Sequence, residues 1–160
     1  MVEEKSHIYH YESAAPALIS SVQLRPIAGS HGIMDVQSLQ KNIPVDDPHV
    51  APLGLVCAED TANKGGGTVY PLDVLDEIAT IAHRNEAYAH LDGARLFNAQ
   101  VASGISVARR SQNYDTVSIC FSKGLGAPVG SALCIPKSLP EVFTGYFRFV
   151  IDEYTSFSSK

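Results

Sequence analysis

Cysteine is scarce in this 160-residue chain, and Cys57, Cys120 and Cys134 are odd in number and widely spaced. A small fold stapled by disulfides is therefore excluded. The three lie in apolar runs such as Val117-Ser118-Ile119-Cys120-Phe121, the setting of buried free thiols, so a reducing, cytoplasmic compartment is expected. Positive charge is also short: 12 Lys and Arg against 17 Asp and Glu give a formal net charge of −5. Neither a nucleic-acid groove nor an anionic membrane surface would attract such a chain. No apolar run approaches the ~20 residues that cross a bilayer. The opening Met1-Val2-Glu3-Glu4-Lys5 has no apolar leader core, so neither secretion nor a membrane partner is expected. No internal repeat is present.

What the chain does have is 45% hydrophobic and 18% charged residues, the composition of one globular domain. From residue 50 onward, short apolar β-rich runs alternate with helical patterns, the sequence form of successive βαβ units in a mostly parallel α/β sheet with flanking helices. Strands are expected over 51–59, 87–91, 116–121 and 131–135, and a short helix over 94–102. The polar, glycine-rich run 60–67 is a loop, and Pro71 opens a helix in which Leu72, Leu75, Ile78, Ala79 and Ala82 form one apolar face. The first fifty residues are less regular, with a helix expected over 14–20, a strand over 22–27, and a short helix capped by Asp35 running through Asn42.

In a parallel sheet, ligands sit beyond the carboxyl ends of the strands. Two segments follow such ends: His90-Leu91-Asp92-Gly93-Ala94-Arg95, and Ser122-Lys123-Gly124-Leu125-Gly126. One βαβ crossover separates Asp92 from Lys123, so both should open onto the same edge. A carboxylate and an amine in that arrangement match the needs of pyridoxal phosphate: a lysine to form an imine with its aldehyde, and an acid to keep its pyridine nitrogen protonated. Taken alone, the pair is more often a surface lysine and an N-capping aspartate. His7 and His10 lack the accompanying ligands of a metal site, and none is expected. Gly124-x-Gly126 lacks the following helix of a dinucleotide loop, and Gly65-Gly66-Gly67 is explained by turn chemistry.

The motifs sharpen this. HLDGARLFNA at 90–99 and SICFSKGLGAPVGSALC at 118–134 resemble the two signature segments of the threonine aldolase and aromatic amino-acid β-eliminating lyase family. SHIYHYESAA at 6–15 is similar to the family's cofactor-stacking segment, and AEDTANKGGGTVYP at 58–71 to its glutamate-rich catalytic loop. The resemblance covers about residues 5–137. It implies the central part of a PLP-dependent transferase-like (fold type I) large domain over 1–137, truncated at both ends, with a divergent tail over 138–160. It implies that Lys123 is the Schiff-base lysine, Asp92 the partner of the pyridinium nitrogen, and His7 the ring-stacking, catalytic histidine. Ser122 would contact the phosphate, and Arg95 would hold the carboxylate of a small amino-acid substrate. The family reaction is retro-aldol cleavage of threonine or allo-threonine to glycine and acetaldehyde, carried out by homo-oligomers whose sites draw on neighbouring subunits.

The chain also departs from the family. Threonine aldolases read Glu-Asn-Thr-His in the catalytic loop, and this chain reads Glu59-Asp60-Thr61-Ala62. Loss of a positioned acid/base group costs on the order of 10² to 10⁴ in rate, so impaired activity is expected, and Ala62→His is expected to raise it. The upstream phosphate-gripping turn and the C-terminal small domain are also missing from these residues. A non-catalytic or degenerate subunit, and another PLP-dependent reaction such as β-elimination, remain the alternatives.

Overall fold

The computed structural model describes residues 1–136. The chain forms β1 (Val2–Glu3), α1 (His7–His10), α2 (Ala15–Ser20), β2 (Pro26–Ile27), β3 (Gly29–Ser30), β4 (Ile33–Met34) and α3 (Val36–Lys41). It continues as β5 (Leu55–Glu59), α4 (Leu72–Arg84), β6 (Tyr88–Asp92), α5 (Leu96–Ser103), α6 (Val107–Ser111), β7 (Thr116–Cys120) and β8 (Ser131–Cys134). Six strands make one sheet in the order β2-β1-β5-β6-β7-β8. All pairings are parallel except β7 with β8. The fold is thus the mostly parallel α/β sheet with flanking helices that the alternating pattern predicts.

The helix opened by Pro71 is the clearest case of sequence becoming structure. In α4 the residues Leu75, Ile78, Ala79, Ile81 and Ala82 are buried and pack on β5 and β6. Leu72 is only half-buried, and Ile81 completes the apolar face in its place. The opposite side carries Asp73, Glu77 and Arg84 to solvent. Asp35 caps α3 as expected, its Oδ2 accepting from Ser38 N–H at 2.8 Å.

Several boundaries differ from the sequence expectation. β5 starts at Leu55 rather than Ala51, and Pro52 explains the delay, since it has no N–H to give a ladder. The expected strand over 22–27 contracts to Pro26–Ile27. β6 runs one residue further, so Asp92 closes the strand instead of following it. The two-residue β1, the β3–β4 hairpin and α6 are too short to show a period. Cys57 is buried, its thiol pushed up to about 12 by desolvation, and Cys120 is half-buried. Cys134 is exposed, since among the described residues β8 pairs only with β7. Lys137 and the expected tail over 138–160 lie outside the described residues. Among the described residues no helix is long and apolar enough to cross a membrane.

From β1 the chain steps outward to β2, then returns across β1 to continue through β5, β6 and β7. The strand order therefore reverses between β1 and β5. In open α/β sheets that reversal opens a crevice at the carboxyl ends of the strands.

Candidate active site

Adjacent strand ends at this crevice carry polar side chains. Glu59 ends β5 and pairs in register with Asp92, which ends β6, and Asp92 pairs in turn with Ser118 of β7. His7 follows β1, and its backbone N–H donates to Glu59 Oε2 at 2.9 Å, bridging the β1–β5 reversal point. Glu59 Oε1 accepts from Asn63 N–H at 3.1 Å, which ties the following loop to the same carboxylate. Burial pushes the Glu59 carboxyl up; the two amides pull it back, the Asp92 charge pushes it up, and His7 lowers it again. His7, Glu59 and Asp92 thus share one electrostatic neighbourhood.

Asp92 is held from two sides. Its Oδ1 accepts from Ala94 N–H at 3.1 Å and from the Ser118 hydroxyl at 3.3 Å, and its Oδ2 has no hydrogen-bond partner among the described residues. One oxygen fixes the side chain while the other is free for a ligand. Arg95 stands three residues on as the N-cap of α5, half-buried, with no hydrogen bond or ion pair on its guanidinium among the described residues.

Ser122 and Lys123 occupy the turn that returns β7 into β8. Phe121 N–H donates to Gly130 O at 2.9 Å, Ala127 N–H to Phe121 O at 3.0 Å, and Gly126 N–H to Lys123 O at 3.0 Å, so the turn is closed around the lysine. Both side chains are exposed, and the Lys123 ammonium makes no ion pair among the described residues. A Cβ on Gly124 would run into the side-chain amide of Asn98. The two signature segments thus touch where the lysine turn meets α5.

His7, Asp92, Arg95, Ser122 and Lys123 each lie at or shortly after the carboxyl end of a strand of this sheet, and no direct bond links Lys123 to Asp92 or His7 among the described residues. Glu59, Ser118 and Glu12 were not singled out from the sequence. A hydroxyl inside the otherwise apolar Val117–Phe121 run and a glutamate at a strand end were the available signals.

The surroundings of Ala62 bear on one expectation. It is 2% exposed, and its Cβ faces Gly32 of the hairpin turn so closely that a Cβ on Gly32 would lie 2.5 Å from it. Ala62 N–H donates to Thr68 O at 2.8 Å, which closes its loop on itself. Ala62 is buried beside Gly32, so a side chain larger than a methyl group there needs local adjustment to find room. Ala62→His thus carries a packing cost beside the gain in activity that the motif comparison predicts.

Glu3, at the end of β1, is 1% exposed, and its Oε1 is a buried oxygen without a hydrogen bond; Oε2 accepts from Lys5 N–H at 2.7 Å. Burial pushes this carboxyl up, the Lys5 amide and charge oppose the rise, and the charges of Glu4 and Glu59 add to it. With the folded-state value above the unfolded one, the associated stability is complete below the normal glutamate range and is lost as pH rises through the raised value. Glu3→Gln is expected to be more stable than the unsubstituted chain near pH 7, by on the order of 1 kcal/mol, with the difference vanishing near pH 4. Urea unfolding at both pH values checks this, and a difference that grows toward acid would contradict it.

A family model described as beta-eliminating lyase matches residues 1–155. The chain belongs to the beta-eliminating lyase family. A Schizosaccharomyces pombe protein described as a probable low-specificity L-threonine aldolase is 36% identical over 137 residues, 84% of this chain and 36% of that protein. An alanine racemase of Cochliobolus carbonum is 36% identical over 141 residues, 87% of this chain and 36% of that protein. This family member therefore spans about a third of the length of the curated relatives it matches. A solved threonine aldolase from Leishmania major shares the fold with a TM-score of 0.75 at 23% identity, over 84% of this chain and 39% of that one. The family and the fold expected from the sequence are both observed.

Proposed function

We propose that this chain forms the cofactor-holding part of a PLP-dependent aldehyde-lyase that cleaves threonine-like β-hydroxy amino acids to glycine and an aldehyde. The observation that carries this reading is Asp92: one carboxylate oxygen is pinned by Ala94 and Ser118, and the other is open at the crevice edge.

The residues fit pyridoxal phosphate by the chemistry of their donor set. Asp92 offers an acceptor for a protonated ring nitrogen, Lys123 an unpaired amine for the aldehyde, and His7 an imidazole for the ring face. The Ser122 hydroxyl, exposed on the lysine turn, would meet the phosphate, and the unpaired guanidinium of Arg95 suits bidentate capture of a substrate carboxylate. Bound there, the cofactor supplies an electron sink for a bond broken at the substrate's Cα. The protein's own work is to orient and to move protons. Arg95 fixes the carboxylate end of the substrate, the Lys123 amine carries a proton to and from Cα once released, and a base takes the proton from the β-hydroxyl.

The alanine racemase relative supports a second reading, in which the same residues exchange the Cα proton of alanine without breaking a carbon–carbon bond. Incubating the purified chain with added PLP separates the two. With threonine, equal amounts of glycine and acetaldehyde are expected; conversion of L-alanine to D-alanine with no glycine from threonine would instead establish racemisation. The imidazole missing from position 62 sets the expected rate on the order of 10² to 10⁴ below a site that has it.

A further inference from the structure

The crevice contains one imidazole with a carboxylate of its own. His7 Nδ1 lies 2.9 Å from Glu12 Oε1, five residues along the chain and just past the end of α1. The His7 ring also packs against Tyr11 at 5.1 Å between centroids, and the Lys64 ammonium sits 5.0 Å above the Tyr11 ring. The His7 backbone is anchored to Glu59. A helix of one turn is too short to hold a side chain by itself. Here the backbone, the ring and one ring nitrogen of His7 are each contacted by a different neighbour.

This arrangement contributes little to stability. The side chains of His7 and Glu12 are 32% and 47% exposed, and exposed ion pairs are worth only about 0–1 kcal/mol. In the neutral imidazole, a carboxylate at Nδ1 sets the tautomer: it requires hydrogen on Nδ1, which leaves the Nε2 lone pair as the acceptor. Nε2 has no partner among the described residues. Position 62 cannot supply the acid/base group, because it is an alanine sealed against Gly32.

We propose that Glu12 is a positioning residue that holds His7 in the Nδ1–H form, so that Nε2 is presented to the crevice as the acceptor for a substrate hydroxyl proton. The proton passes from the β-hydroxyl oxygen to Nε2, giving an imidazolium whose charge Glu12 balances. The substrate class rests on the function proposed above; the tautomer does not.

Imidazole ¹⁵N NMR of the purified chain near neutral pH, with no cofactor, is expected to show His7 in the Nδ1–H form. Glu12→Ala should move it towards the Nε2–H form that unrestrained imidazoles prefer, and Glu12→Gln, whose amide oxygen still accepts from Nδ1–H, should largely retain the original pattern. With PLP and threonine, Glu12→Ala is expected to lower kcat about 10- to 100-fold, as orienting carboxylate–histidine pairs do elsewhere, with KM little changed and Glu12→Gln partly rescuing. An unaltered tautomer in Glu12→Ala overturns the proposal. So does an altered tautomer with unchanged kcat, or a loss of kcat in His31→Asn as large as that in Glu12→Ala, since His31 is the exposed imidazole on the neighbouring hairpin turn. If no variant forms glycine, the functional reading fails, and the NMR comparison alone decides whether Glu12 positions His7.

Discussion

Arg110→Met is expected to destabilise the fold by about 3–5 kcal/mol, the usual consequence of removing one partner from a buried ion pair. Arg110 and Asp60 side chains are both fully buried, with Arg110 Nε donating to Asp60 Oδ2 at 2.7 Å. Arg110 Nη2 donates to Tyr70 O at 2.7 Å, and Asp60 Oδ1 accepts from Tyr70 N–H at 3.2 Å. The Tyr70 hydroxyl continues the chain of contacts, donating to Gly32 O at 2.9 Å and accepting from Met34 N–H at 2.8 Å. One buried network therefore joins α6, the loop after Glu59 and the β3–β4 hairpin. Burial pushes the Asp60 carboxyl up, and the Arg110 charge and its hydrogen bonds draw it back.

Asp60 stands where the resembled loop motif has asparagine, and Arg110 meets the charge that this difference adds. The two residues are thus a matched pair. The double variant Asp60→Asn with Arg110→Met removes both charges of this pair, and the amide oxygen introduced at position 60 can still accept from Tyr70 N–H. It is expected to recover most of the loss, since residues of one network are not additive. Urea unfolding of the two single variants and the double variant measures the coupling. A loss below about 1 kcal/mol in Arg110→Met would mean that the network is not holding the loop.

Lys123→Ala is expected to remove covalent attachment of the cofactor altogether and to lower glycine formation by on the order of 10² to 10⁴ through lost proton transfer alone. The fold should be nearly unaffected. Lys123 is exposed on a turn whose hydrogen bonds are all backbone to backbone, so removing the side chain breaks none of them. Surface changes of this kind usually stay within about 0.5 kcal/mol. Retained unfolding stability together with lost attachment would separate a chemical role from a structural one.

These two residues also show what could be read in the sequence. The strand-end places of Asp92 and Lys123 were legible because a strand end is a local feature: an apolar run stops and a polar residue follows. The α4 face was legible because Leu75, Ile78, Ala79 and Ala82 repeat at helical spacing. Arg110 was not, because a charged residue in a five-residue helix carries no signal of burial until Asp60, fifty positions away, is placed beside it. Ser118 and Glu59 acquire meaning only from the register that sets them on either side of Asp92. Glu12 acquires it from the turn of α1, and Ala62 from a hairpin formed thirty residues earlier. The missing histidine is visible in the sequence; that its position is buried beside Gly32 is not.

The central claim is that Lys123, on the turn after β7, is the residue that receives the cofactor's aldehyde. Borohydride reduction of the PLP-treated chain, followed by peptide mass spectrometry, tests it most directly. One stoichiometric phosphopyridoxyl adduct is expected on Lys123, lost in Lys123→Ala. An adduct spread over exposed lysines such as Lys5 and Lys64, or none at all, would contradict it.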